Sequence, residues 1–206
     1  MQRGRFLCPL VFLLNLCHSE GMTAAEKFDF VRPLSVEDYL DGEKHSEVRH
    51  EYFDGEIYAM AGASRAHEIV SMNLSMALHG HLKGGPCQAF KSDMKVNVDV
   101  NGQEGFYYPD IVVTGDPNEK HDYYIESPKL IVEILSQNAL RDRLEKFLVY
   151  QHIPTLEEYV IVSQKAKEPE VTIHRRKNEW KRETHTSGEF TLESIGFTGT
   201  VADLYD

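Results

Sequence analysis

The stretch KLIVEILS at residues 129–136 decides the fold. Its centre is a short apolar run with one carboxylate, Glu133, and such a run is typical of a central strand that is covered on both faces of its sheet. A carboxylate in that position is costly, because an unpaired buried ion destabilises a protein by several kcal/mol. We therefore expect a cation, a proton or a metal ion beside Glu133, or a half-exposed strand on which Glu133 faces solvent.

The preceding stretch YYPDIVV at residues 107–113 places a second carboxylate, Asp110, at the start of another apolar run. Pro109 has no N–H to donate to a sheet, so it belongs at a strand margin or a bulge. Alone, Asp110 is better explained as an ordinary residue at a turn or strand end. Acids that converge from two adjacent strands, however, form the oxygen-rich cage that hard cations such as Mg²⁺ require. An ion held there can activate water and stabilise the charge of a phosphoryl transition state.

The remaining pattern predicts an α/β domain. Hydrophobic spacing and capping residues indicate helices that begin after Ser35, after Ser64 and at about Leu140. Period-two alternation and turn signals indicate strands at Glu56–Met60, Asp93–Val100, Phe106–Thr114, Lys129–Leu135 and Tyr159–Ser163, with a polar hairpin within residues 171–186. Antiparallel hairpins that lead into a strand–helix–strand unit predict a mixed sheet.

Several short motifs occur in one order along the chain. They are EYFDGE at residues 51–56, His67 in the second helix, YPDIVV at 108–113, VEILS at 132–136, and EK at 145–146 followed by Tyr150. In this order and spacing, over about residues 33–205, the chain resembles the Uma-type restriction endonuclease family of the PD-(D/E)XK nuclease superfamily. The resemblance implies a restriction-endonuclease-like α/β fold with a central mixed β-sheet flanked by helices, a divalent metal ion (Mg²⁺ or Mn²⁺), and nuclease chemistry.

The resemblance also implies roles for individual residues. Asp110 and Glu133 would ligate the metal ion, and Glu51 would be an assisting metal ligand. His67 is interpreted either as a contact to the scissile phosphate or as an ordinary helix histidine. One position departs from the superfamily pattern, because Leu135 stands two residues after Glu133, where a lysine usually positions or activates the attacking water.

Three lysines are candidates to replace the missing one. Lys146 on the third helix is preferred, because it resembles a migrated lysine of the family; the alternative is a surface charge paired with Asp142 four residues earlier. Lys129 shares a strand face with the central carboxylate by period two, and Lys95 shares one with Asp93. Asp93 is itself a weaker candidate to approach the metal ion.

Length, charge and cysteine content limit the functional classes. The chain has 206 residues, which suits one domain at residues 22–206, and its net charge of −11 is unusual for a protein that binds a polyanion. Residues 1–21 are interpreted as a signal-like segment or as an extension from a misassigned start codon, and their apolar run is too short to span a membrane. Two of the 3 cysteines fall in this extension, so we expect no disulfide and a cytoplasmic protein.

Three functions remain open. The first is a Mg²⁺- or Mn²⁺-dependent endonuclease that cuts nucleic acid, with DNA as the expected substrate and with Asp110, Glu133, Lys146 and Glu51 as catalytic residues. Since a two-fold symmetric enzyme cuts both strands of a duplex most simply, this function suggests a homodimer. The second is a catalytically weak or inactive module that binds a metal ion or a partner, which Leu135 and the net charge favour. The third is a purely structural domain, in which a basic side chain pairs with Glu133.

Overall fold

The computed structural model describes residues 33–135 and 140–206, without the side chains of residues 140–144. Three features of the sequence analysis therefore lie outside the described residues: the extension at residues 1–21, Ser136, and the side chain of Asp142. Within the described ranges, no helix is long and apolar enough to cross a membrane.

The described residues contain the helices α1 (Val36–His45), α2 (Arg65–Leu82) and α3 (Leu140–Tyr150). The first two begin where the sequence predicts. The hydroxyl of Ser35 accepts a hydrogen bond from the backbone N–H of Asp38, and the hydroxyl of Ser64 accepts one from that of His67. Such caps satisfy N–H groups that have no partner within the helix. The second cap fixes the start of α2 and, with it, the position of His67.

The strands of the described residues are β1 (His50–Phe53), β2 (Glu56–Ala59), β3 (Gln88–Lys91), β4 (Lys95–Val100), β5 (Gln103–Tyr107), β6 (Ile111–Thr114), β7 (Tyr124–Ile125), β8 (Pro128–Leu135), β9 (Glu158–Ser163), β10 (Val171–Arg175), β11 (Arg182–His185), β12 (Glu189–Leu192) and β13 (Phe197–Thr200). They form a six-stranded sheet in the order β11-β10-β9-β8-β6-β3, a five-stranded sheet in the order β2-β1-β5-β4-β7, and the pair β12-β13. Parallel pairs, β8 with β9 and β4 with β7, make both larger sheets mixed. The predicted mixed α/β class is confirmed.

The six-stranded sheet is covered on both faces, which explains the apolar run of its central strand β8. Leu130 and Val132 lie in the core with α2, whereas Ile131 packs into a second core with Tyr150 of α3. A strand that is buried on both faces needs apolar residues at nearly every position. Glu133, two residues beyond Ile131, therefore belongs to the face that α3 covers.

Two predictions about the strands are wrong. The predicted strand Phe106–Thr114 is divided into β5 and β6, which belong to different sheets. The division falls at Pro109, because proline cannot donate a hydrogen bond to a ladder. The hairpin at residues 171–186 is predicted to be polar, but its first strand is buried at each position. Val171 and Ile173 project into the core that α2 also joins, and β10 is an inner strand, paired with β9 on one side and β11 on the other.

Candidate active site

Asp110 and Glu133 are brought together by the antiparallel pairing of β6 with β8. The register pairs Ile111 with Val132, so the next position outward sets Asp110 opposite Glu133. Directly opposite residues of antiparallel strands project from the same face. Asp110 is also anchored to β8, because its Oδ2 accepts a hydrogen bond from the backbone N–H of Ile134 at 2.6 Å. The predicted juxtaposition of the two acids is thus present in the fold.

Glu133 is a carboxylate in a largely dry position. Its side chain is 14% exposed, and its Oε1 accepts a hydrogen bond from the buried hydroxyl of Tyr150 at 3.1 Å. The pKa of Glu133 is raised to about 8, chiefly by burial and less by the carboxylates of Asp110 and Glu51, while the ammonium of Lys146 and the hydroxyl of Tyr150 act in the opposite direction. The loss of hydration at this position therefore outweighs the stabilisation that Lys146 gives to the ionised carboxylate.

Lys146 of α3 lies between two of the carboxylates. Its Nζ is 2.7 Å from Oε1 of Glu51 and 3.8 Å from Oε1 of Glu133. The structure thus places Lys146, the lysine preferred from the sequence, in contact with both acids. Its catalytic role stays a prediction. The sequence analysis did not include Tyr150 in the site, although its position four residues after Lys146 places both on one helix face.

Glu51 of β1 is the third carboxylate. Its side chain is 14% exposed, and its Oε1 accepts hydrogen bonds from Lys146 and, at 3.2 Å, from the backbone N–H of Tyr108. Tyr108 lies two residues before Asp110 in the segment that joins the two larger sheets. The hydrogen bond to Glu51 therefore fixes this segment relative to β1.

His67, whose role the sequence left open, contacts Asp110 in the structure. Its Nε2 is 3.0 Å from Oδ1 of Asp110, and its side chain is 14% exposed. The hydrogen bond to Asp110 raises the pKa of His67, while burial acts against this rise. A histidine held in this way orients the carboxylate that it contacts. We define Glu51, His67, Asp110, Glu133 and Lys146 as the carboxylate cluster.

The other lysines and Asp93 do not join the carboxylate cluster. Lys129 pairs with a neighbouring glutamate at 3.2 Å. Asp93 is paired with Arg49 at 3.2 Å, and its side chain is 76% exposed. Lys95, which the sequence placed on one face with Asp93, is only 5% exposed, and its Nζ donates to the hydroxyl of Tyr108 at 3.3 Å.

A buried polar network next to the cluster was missed by the sequence analysis. Glu43 of α1 is 4% exposed. It accepts hydrogen bonds from the hydroxyl of Tyr108 at 3.0 Å and from the backbone N–H of His50 at 2.8 Å. The pattern of α1 gives no signal for this burial, since Glu43 is one of several acids in a short polar helix. Tyr108 consequently contacts Glu51 through its backbone and Glu43 through its hydroxyl.

The carboxylate cluster offers the donor atoms that a hard divalent cation prefers. Among residues 33–135 and 140–206, no three His, Cys, Asp or Glu side chains form a ready-made metal-binding group. Lys146 and His67 contact the carboxylates instead. Oxygen donors nevertheless suit Mg²⁺ and Mn²⁺. The donor types of Glu51, Asp110 and Glu133 therefore match the metal ion that the resemblance implies, while no three of the described side chains are arranged as a group that could hold it.

Comparisons with known sequences cover most of the chain. A family model described as "Uma2: Putative restriction endonuclease" matches residues 36–203. The chain is 38% identical over 175 residues to the uncharacterized protein slr1290 of Synechocystis sp., across 84% of this chain and 91% of that protein. It is 32% identical over 135 residues to the uncharacterized protein sll1609 of the same organism, across 64% of this chain and 75% of that protein.

The fold is similar to a solved structure as well. The crystal structure of a putative nuclease belonging to DUF820 from Anabaena variabilis superimposes with a TM-score of 0.65. The match covers 84% of this chain and 98% of that chain, at 16% sequence identity. At this identity the likeness shows the fold alone, and it confirms the predicted restriction-endonuclease-like class.

Proposed function

The chain belongs to the Uma2 family of putative restriction endonucleases, and on that premise we propose that it hydrolyses phosphodiester bonds of nucleic acid with the help of a divalent metal ion. The observation that carries the proposal is the meeting of Glu51 and Glu133 at Lys146, with Asp110 set opposite Glu133 by the strand register. Phosphodiester hydrolysis needs an activated water and positive charge next to the phosphoryl oxygens. Carboxylates that hold a metal ion, together with a fixed lysine, supply both.

In this proposal Asp110 and Glu133 would hold Mg²⁺ or Mn²⁺, and Glu51 would assist them. When bound, the ion would supply Lewis-acid stabilisation of the negative charge in the phosphoryl transition state. His67 contacts Asp110, and Tyr150 donates a hydrogen bond to Glu133, so both proposed ligands are oriented by partners of their own. Such supporting contacts commonly determine how well a metal ligand binds.

Lys146 is the proposed replacement for the lysine that the superfamily carries at the position of Leu135. Its side chain is 13% exposed and is held by Glu51 at 2.7 Å. A cation fixed in this way need not reorganise when charge develops on the substrate, which is the main source of electrostatic catalysis. We assign to Lys146 the orientation of the attacking water and the stabilisation of the pentavalent phosphorus.

Cleavage of supercoiled plasmid DNA tests the proposal. Wild type should nick or linearise the plasmid with Mg²⁺ or Mn²⁺ but not with EDTA. Asp110→Asn should lower the rate by about 100-fold or more, as the loss of one transition-state contact typically does. The matched control is Glu168→Gln, because the carboxylate of Glu168 is 73% exposed and pairs only with Lys165. Equal cleavage by wild type and Asp110→Asn would remove the carboxylate cluster from the reaction.

The substrate and the assembly are finer parts of the proposal. DNA is the expected substrate, and a homodimer in the cytoplasm would allow both strands to be cut. Parallel assays with single-stranded DNA and RNA, and sedimentation velocity of the purified chain, address these points.

A second candidate function is a binding module that has lost efficient chemistry. Two observations favour it: Leu135 replaces the motif lysine, and Lys146 and His67 contact the acids that would hold the ion. This function predicts calorimetric binding of Mn²⁺ without turnover of any nucleic acid. Metal-dependent cleavage by wild type that Asp110→Asn abolishes would exclude it.

A further inference from the structure

The hairpin of β1 and β2 places a tyrosine beside the carboxylate cluster. The two strands are antiparallel, and their register sets Tyr58 directly opposite Glu51. Directly opposite residues project from the same face, with Cβ atoms about 5 Å apart. Tyr58 therefore rises from the face that carries the carboxylate bound to Lys146.

The side chain of Tyr58 is largely open to solvent. It is 54% exposed, whereas Tyr52 of the same hairpin is 4% exposed and belongs to the core. β2 is an edge strand of the five-stranded sheet, and it is exposed at each of its positions. The hydroxyl of Tyr58 donates a hydrogen bond to Oε2 of Glu56 at 2.5 Å, which restrains the ring. The fold thus presents a restrained aromatic ring that it does not use for its own core.

Two more side chains extend this surface along the hairpin. The backbone N–H of Met60 donates to the carbonyl of Arg49 at 2.9 Å, which continues the pairing and puts both residues on the face of Tyr58. Met60 is 37% exposed. The side chain of Arg49 is 41% exposed and pairs with the more exposed Asp93. A ring with an apolar neighbour and a nearby guanidinium suits a base and its phosphate.

We propose that Tyr58 is a stacking platform for an unpaired nucleobase next to the phosphodiester that is cut, so that the substrate is single-stranded or locally unpaired nucleic acid. The inference rests on the proposed nuclease function and names the substrate class of the same site. Stacking on an aromatic side chain requires an open base face, which single strands offer and a paired duplex does not.

The charge of the chain supports stacking over phosphate contacts as the source of affinity. Proteins that bind nucleic acid through its backbone neutralise phosphates with clustered Lys and Arg. This chain has 22 Lys and Arg against 33 Asp and Glu, and the site face carries three carboxylates. A stacking contact itself requires no cation to neutralise a phosphate, and it is tolerant of sequence because each base has a π-face.

Fluorescence anisotropy with labelled oligonucleotides tests the inference. The full chain is titrated against a single strand and a fully paired duplex in Ca²⁺, and a gel verifies that the probes stay intact. Tyr58→Ala should raise the Kd for the single strand about tenfold, within the range measured for one stacked base. Tyr58→Phe should bind like wild type. Tyr123→Ala is the matched control, because Tyr123 is 57% exposed and adjoins β7 at the opposite edge of the same sheet.

The outcomes separate this inference from the function on which it rests. If wild type cuts nucleic acid but Tyr58→Ala binds each probe as wild type does, the stacking role is overturned and the nuclease function stands. An equal loss of affinity for the paired duplex overturns the assignment to unpaired bases. If wild type neither binds nor cuts any DNA or RNA, both proposals fall.

A spectroscopic measurement provides a second, independent readout. The chain has one tryptophan, Trp180, so Tyr58→Trp and Tyr123→Trp each add one emitter to the same background. A single-stranded oligonucleotide should quench the added emission in Tyr58→Trp but not in Tyr123→Trp. Equal emission with and without oligonucleotide at both positions, in proteins with wild-type circular dichroism, would contradict base stacking at Tyr58.

Discussion

Glu133 is the residue at which stability and the proposed chemistry oppose each other. The fold buries this carboxylate beside two others, and its pKa is consequently raised to about 8. A buried acid with a raised pKa destabilises the folded chain whenever it is ionised. A neutral side chain at this position would make the folded protein more stable. A residue that lowers stability in this way is expected at functional sites.

Glu133→Gln should therefore change how stability depends on pH in the metal-free protein. The unfolded chain loses this proton near pH 4.5 and the folded chain near pH 8, so between these values the unfolded state binds fewer protons. The contribution of Glu133 to the free energy of unfolding then falls as pH rises, by at most about 1.4 kcal/mol per pH unit. Urea unfolding in EDTA at several pH values should show the advantage of Glu133→Gln over wild type growing with pH. Glu168→Gln, on an exposed carboxylate, should show no such trend.

Lys146 is predicted to affect the reaction more than the fold. Lys146→Met removes the lysine that contacts both Glu51 and Glu133, and we expect kcat to fall by about 100-fold or more. Lys146→Arg keeps the charge and should retain part of the activity. Lys129→Met is the control, because Lys129 comes from the same strand as Glu133 but pairs elsewhere. A similar kcat for wild type and Lys146→Met, measured on plasmid DNA, would contradict the assigned role.

At the scale of elements, the sequence predicts best where pattern and tertiary contacts agree. The two serine-capped helices and the central strand around Glu133 appear as predicted, because caps and apolar runs are local signals. The strands β1, β3, β7, β12 and β13 were missed. Each has only two to four residues, and each is paired with a partner strand. Such strands depend on tertiary context, which a local pattern does not carry.

The candidate site likewise combines residues that a local sequence signal reveals with residues that depend on tertiary packing. Asp110 and Glu133 stand out in the sequence because each is an acid in an apolar run, and the antiparallel register then makes them neighbours. Lys146 was selected by resemblance, since its spacing alone fits an ordinary helix charge equally well. The contact of His67 with Asp110 and the burial of Glu43 have no local signal, because both depend on how distant elements pack.

The turn between β1 and β2 gives a prediction for the hairpin that carries Glu51 and Tyr58. Gly55 has φ +90, and a Cβ added there would lie 2.5 Å from Cβ of Pro33. Gly102, in the turn between β4 and β5, has φ +89 but no heavy atom within 4 Å of the added Cβ. Both glycines permit a backbone conformation that costs other residues about 1–2 kcal/mol.

Gly55→Ala should therefore destabilise the protein more than Gly102→Ala. The backbone strain is common to both variants. The difference between their losses of unfolding free energy therefore measures the clash with Pro33, which we expect to cost about 1–3 kcal/mol. Chemical denaturation measures the difference between the two variants. Gly55→Ala should also lower plasmid cleavage, because a displaced hairpin moves Glu51 away from Lys146. Equal destabilisation by both changes would show that residue 55 tolerates a side chain.

At the scale of the whole molecule, a buried ion pair connects the six-stranded sheet to the pair β12-β13. Nε of Arg175 donates to Glu158 at 2.7 Å, and the two side chains are 5% and 2% exposed. Another nitrogen of Arg175 donates to the carbonyl of Thr191 at 2.7 Å. Glu158 also accepts hydrogen bonds from the backbone and the hydroxyl of Ser194. The packing of the small sheet against the large one thus depends on charges that solvent does not screen.

Arg175→Met should cost about 3–5 kcal/mol of unfolding free energy, because it leaves the carboxylate of Glu158 buried without its cation. The double change Glu158→Gln with Arg175→Met should recover part of this loss. Lys165→Met is the control: its pair with Glu168 is exposed on both sides, and such pairs contribute at most about 1 kcal/mol. A loss below about 1 kcal/mol for Arg175→Met, measured by urea unfolding, would contradict a stabilising role of this pair.

The net charge of −11 leads to a prediction about binding as a function of salt. The affinity of a protein for single strands falls with salt in proportion to the number of phosphates that it neutralises, with a slope of about −0.7 for each. Among the described side chains, the proposed binding face carries the cations Lys146 and Arg49, and each is engaged by a carboxylate. From about 50 to about 200 mM NaCl we therefore expect the Kd for a single strand to rise less than about tenfold. The factor by which Tyr58→Ala raises the Kd should be the same at both NaCl concentrations, because stacking involves no counterions. A slope equivalent to six or more phosphate contacts would contradict this prediction, since it would require more cations than Lys146 and Arg49.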